Sequence, residues 1–87
     1  MKILLAEDDS VSRLILLTKL KNMRHTVVAR EDGEDAWNAF LTERPQIIIT
    51  DWIMPKLDGL DLCRMIRAHV QEKYAYIIFL TALAGGK

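Results

Sequence analysis

Four short apolar runs punctuate the chain: Ile3-Leu4-Leu5-Ala6, Thr26-Val27-Val28-Ala29, Ile47-Ile48-Ile49-Thr50 and Tyr76-Ile77-Ile78-Phe79-Leu80. None alternates apolar with polar residues, so each reads as a strand buried on both faces, the pattern of a parallel sheet covered by helices. The segments between them are long enough for helical crossovers. The first is helical from about Ser10 to Met23. The second, about Gly33 to Leu41, pairs Ala36 with Phe40 and Trp37 with Leu41 at i, i+4. The third starts at Asp58-Gly59-Leu60-Asp61, where Asp58 can cap and Asp61 suits the first turn. It continues with Leu62, Cys63, Ile66 and Val70 on one face. The predicted order is βαβαβαβ, an open α/β sheet. Leu14-Ile15-Leu16-Leu17 makes the first helix apolar all the way round one turn, which predicts cover on two sides.

Composition narrows the class. At 87 residues, 51% hydrophobic and 28% charged, the chain is one folded domain (residues 1–87) and not a disordered segment. Twelve basic residues balance twelve acidic ones, so no basic excess is available for direct contact with nucleic acid or an anionic membrane surface. One cysteine forms no internal disulfide. Met1-Lys2 precedes only four apolar residues before the acids, which is no signal peptide, and the nearly apolar stretch Tyr74 to Leu80 is far shorter than the roughly 20 residues of a membrane span. A cytoplasmic location is expected.

Open α/β sheets bind ligands beyond the carboxyl ends of their strands. The first strand runs into Glu7-Asp8-Asp9, the third into Asp51 followed by Trp52-Ile53-Met54-Pro55, and the fourth into Thr81-Ala82. The second ends in Arg30-Glu31-Asp32, read as a solvated turn. Carboxylates converging on one rim repel one another unless protonated or bridged by a cation. Few, hard oxygen ligands suit a Mg²⁺ that keeps some of its waters. Acids stand where a phosphate cradle needs glycines, which disfavours a dinucleotide. Glu7, Asp8 and Asp9 alone are equally well explained as acids capping the next helix. Asp51, at the end of a very hydrophobic strand, has no such explanation and tips the balance towards a metal-assisted site.

The acidic pair, the segment Asp51-Trp52-Ile53-Met54-Pro55-Lys56-Leu57-Asp58-Gly59 and the Thr81-Ala82 step after the next strand, in that order, resemble a bacterial response regulator receiver domain of two-component phosphorelays. The resemblance covers the whole chain. It implies a flavodoxin-like doubly wound parallel sheet, here an incomplete (βα)3β with strand order 2-1-3-4. It further implies that Asp51 is the phosphoacceptor. Glu7, Asp8, Asp51 and the backbone carbonyl of Ile53 would hold Mg²⁺, while the Thr81 hydroxyl and Ala82 amide would bind the phosphoryl group. Asp9 lies one position beyond the matching pair and is read as a helix cap. The donor would be a sensor histidine kinase, a phosphotransfer protein or a small acyl phosphate, and the signal would pass to a C-terminal output domain. The family has five βα units, so a fourth helix, fifth strand and fifth helix, with a phosphoryl-contacting Lys, are expected to be missing. Lys56 and Lys87 do not match that Lys. Weak phosphorylation is therefore expected.

Other chemistry-bearing residues have plainer readings. Cys63 reads as a small core residue, His25 and His69 as surface residues without partner acids, and Trp37 as a helix-to-sheet contact. Two other classes compete with the phosphoacceptor. One is a self-associating interaction module with little or no phosphotransfer, joined as a dimer or oligomer through an unprotected fourth strand or first helix. The other is a dehalogenase-type phosphatase, which needs an acid where Ile53 stands. At most, the catalysis expected is autophosphorylation and slow autodephosphorylation, not that of a conventional enzyme.

Overall fold

The β-branched and leucine-rich runs form strands in register, and the helices between them bury apolar stripes on either side. The structure, a computed structural model, describes residues 1–69 and 75–80. Its elements are β1 (Lys2–Ala6), α1 (Ser10–Asn22), β2 (Thr26–Arg30), α2 (Gly33–Glu43), β3 (Ile47–Asp51), α3 (Gly59–His69) and β4 (Tyr76–Leu80). The four strands make one parallel sheet in the order β2-β1-β3-β4, the arrangement of a flavodoxin-like, doubly wound fold. Predicted elements match within one or two residues at each end.

Two layers follow from the two-residue period of a strand. Leu4, Ala6 and Ile48 point to a core filled by Ala36, Ala39 and Phe40 of α2 and by Leu62 and Ile66 of α3. The helix α1 packs on β1 and β2. Each helix begins at an acid: Asp9 accepts from the Ser12 amide at 2.8 Å, Asp32 from Asp35 at 2.8 Å and Asp58 from Asp61 at 2.9 Å. These caps satisfy amides that have no partner within the helix.

Burial departs from expectation in three places. Only β1 keeps all its apolar residues fully buried; β2 and β4 lie at the two sides of the described sheet and stay half-exposed, and Ile47 and Ile49 of the inner strand β3 are half-buried. No residue of α1 is fully buried, and Leu14 and Ile15 face solvent where a second cover was expected. Trp37, packed against the core, also joins two helices, stacking on Phe40 of its own helix at 5.7 Å and meeting His69 of α3 edge-on at 5.8 Å. Cys63 is half-buried, since Leu62 and Ile66 take the innermost positions of α3.

Candidate functional site

Parallel pairing builds the site. Ala6 of β1 lies opposite Thr50 of β3, so the residues that follow, Glu7 and Asp51, leave the sheet side by side at its carboxyl edge. Ligand oxygens of Glu7, Asp8 and Asp51 lie within 4.8 Å of one another. Glu7 is buried, Asp51 half-buried and Asp8 exposed. Thr50 is fully buried beneath them, its hydroxyl donating to the Asp51 carbonyl at 3.0 Å.

The crowding has an electrostatic signature. Burial, followed by the hydrogen bond and charge of Glu7 and then those of Asp8, pushes the Asp51 carboxyl up to about 8. Desolvation and like charge both favour the neutral form. Asp9 behaves differently: the Ser12 amide it accepts from holds it below the usual carboxylate range. It is a helix cap, as expected, and stands outside the acidic group. The three carboxylates that do converge are hard oxygen donors of mixed exposure, a set suited to a small divalent cation that retains several waters.

The loop after β3 is held at both ends. Met54 turns into the core, 3.9 Å from the Thr50 hydroxyl, while Trp52 and Ile53 just before it remain exposed. The Gly59 amide donates to the Trp52 carbonyl at 2.7 Å, and a Cβ at Gly59 would overlap the Asp51 carbonyl oxygen. The Trp52 ring meets Phe79 of β4 edge-on at 5.7 Å. Pairing also brings Leu80 opposite Asp51. Thr81 and Ala82, the residues expected to bind the phosphoryl group, lie outside the described residues, as does Lys87.

Sequence reasoning passed over two supporting groups. Arg13, one turn into α1, donates from Nη1 to the Glu7 carbonyl at 2.8 Å and pairs through Nη2 with Glu31 at 4.0 Å. Its clue was position alone, a long basic side chain just after the cap and able to reach back over the acidic loop. Asp32, read as part of a solvated turn, is buried, because it caps α2 and also meets Lys56 at 3.7 Å.

With that geometry in view, the comparisons with known proteins agree. The response regulator receiver domain family matches residues 3–85. A probable transcriptional regulator ycf27 of Guillardia theta is 43% identical over 82 residues, which is 94% of this chain and 31% of the relative. A chemotaxis protein CheY homolog of Campylobacter jejuni is 36% identical over 89 residues, 100% of this chain and 68% of the relative. The solved receiver domain of the Francisella response regulator 1452 superposes with a TM-score of 0.85 at 31% identity, covering 97% of this chain and 68% of that one. The chain spans about a third of the length of the ycf27 relatives it matches. Family match, strand order and the three converging carboxylates coincide on the same residues: the chain belongs to the response regulator receiver domain family.

Proposed function

We propose that this chain is a phosphoacceptor module in which Asp51 takes a phosphoryl group and relays a kinase signal to an output domain. The observation that carries the reading is the convergence of Glu7, Asp8 and Asp51, whose mutual repulsion has no structural benefit unless a cation relieves it. Glu7, Asp8, Asp51 and the Ile53 carbonyl would hold Mg²⁺. When bound, Mg²⁺ would supply positive charge between the nucleophile and the incoming phosphoryl group.

The chain's own residues do the rest. An Asp51 carboxylate oxygen attacks phosphorus in line with the donor's scissile bond. That bond breaks with its electron pair leaving on the donor, and an acyl phosphate remains on Asp51. Only the ionised carboxylate attacks, and Mg²⁺ held among these acids would favour that form over the neutral one that crowding favours without it. Arg13 steadies the backbone at Glu7, and the Gly59 amide steadies it at Trp52, next to the nucleophile. The Thr81 hydroxyl and Ala82 amide are assigned to the phosphoryl oxygens. A histidine kinase or phosphotransfer protein is the donor, and the setting is cytoplasmic; among the described residues no helix is long and apolar enough to cross a membrane.

Acetyl phosphate with Mg²⁺ tests the assignment. A hydroxylamine-labile phosphoryl mass on the peptide holding Asp51, absent from Asp51→Asn, is the expected result. No label on the folded chain at saturating Mg²⁺ overturns it. A binding module would then be favoured, with the exposed apolar residues Leu14, Ile15, Tyr76 and Ile78 as its contact surface.

A further inference from the structure

The loop between β3 and α3 contains a backbone conformation that side chains rarely adopt. Lys56 has φ 71°, and the Leu57 amide donates to the Pro55 carbonyl at 2.8 Å across it. A three-residue turn of that hand is rare and strained, and persists only where its surroundings over-determine it. Those surroundings are the first turn of α2. A Cβ at Gly33 would overlap the Leu57 carbonyl oxygen, so the loop backbone rests directly on the helix start. Asp32 divides its carboxylate between two tasks: Oδ1 accepts from the Asp35 amide at 2.8 Å and Oδ2 lies 3.7 Å from the Lys56 ammonium. The Asp32 side chain is 9% exposed, which leaves that charge with little water to replace the pair.

From these contacts we infer that Asp32 and Gly33 are positioning residues for the proposed phosphoacceptor site. They seat the loop through Lys56 and Leu57 and thereby set where Trp52 and the Ile53 carbonyl stand beside Asp51. The inference rests on the proposed reading only for its effect on Mg²⁺. The loop is short and closed at its far end by the bond from the Gly59 amide to the Trp52 carbonyl, so displacement at Leu57 reaches Trp52 through few torsions. Supporting groups around metal ligands typically change affinity by about 10–100-fold when altered.

Two substitutions separate seating from helix stability. Gly33→Ala adds a methyl group where the loop rests, yet alanine is the better helix former, so α2 alone would not suffer. Asp32→Asn keeps a good cap and removes the charge facing Lys56. In metal-free protein, both should move the Trp52 indole and the Trp52, Ile53 and Gly59 amide resonances. With Mg²⁺, Gly33→Ala should weaken binding about tenfold and Asp32→Asn by a smaller factor. In a Lys56→Gly background, which tolerates the positive φ without the ammonium, Asp32→Asn should have no further effect. Wild-type positions for those resonances in folded Asp32→Asn and Gly33→Ala overturn the inference, and Asp32→Asn alone decides it should Gly33→Ala not fold. Should the wild-type chain bind no Mg²⁺, the functional reading fails, while the metal-free spectra still decide the seating.

Discussion

Replacing Asp51 by asparagine should stabilise this protein when no metal is present, and by an amount that grows with pH. Oxygens of Glu7, Asp8 and Asp51 lie within 4.8 Å of one another. At that separation two unit charges repel by about 3.5 kcal/mol at an effective dielectric constant near 20, and by about 0.9 kcal/mol in water. The first figure suits buried Glu7, the second exposed Asp8. Asp51 escapes part of the cost by staying protonated, its carboxyl raised to about 8 by burial first and by Glu7 and Asp8 next. The native state thus holds a proton that the unfolded chain has lost between about pH 4 and pH 8. Stability is greatest below that window and falls as pH rises through it. Water reaching the half-buried carboxyl screens the interaction, leaving about 2 kcal/mol at pH 8.5. The substituted carboxamide carries no charge and is nearly equivalent to the protonated acid at pH 4. Thermal melts in EDTA should therefore show Asp51→Asn higher by roughly 8–16 °C at pH 8.5 and little changed at pH 4. Mg²⁺ should narrow the gap by stabilising only the wild type, by about 1.4 kcal/mol at ten times its dissociation constant. A variant no more stable than wild type at pH 8.5, or a gap indifferent to pH, would refute the argument.

In a Trp37→Phe background, Mg²⁺ should change Trp52 emission with millimolar affinity, because Trp52 is 56% exposed, follows Asp51 directly and packs its ring on Phe79; Asp8→Ala should abolish the change, and an indifferent spectrum from folded protein counts against the site. The 87-residue chain should self-associate at tens of micromolar, since Tyr76 and Ile78 on β4 and Leu14 and Ile15 on α1 are exposed. Light scattering should report a dimer or larger species that Ile78→Lys or Leu14→Glu weakens, and a monomer mass for wild type contradicts it.

Periodicity and punctuation determined most of the fold. Unbroken apolar runs have few homes other than a covered parallel sheet, and Asp9 and Asp58 sit where helix amides need acceptors. The acidic rim was equally legible, because strand ends in such a sheet share one edge whatever the details of packing. Burial was not. The runs of β2, β3 and β4 look as apolar as that of β1, yet among the described residues only β1 has its apolar side chains covered throughout, a matter of neighbours and not of composition. Nothing in the order of residues marked Asp32 and Lys56 as partners. They are far apart along the chain and met only when α2 and the loop after β3 were laid against the same sheet. The perturbed Asp51 has the same origin. A lone aspartate would titrate in the ordinary range, and its raised value comes from burial and from Glu7 and Asp8 delivered by β1, which tertiary structure alone sets beside β3.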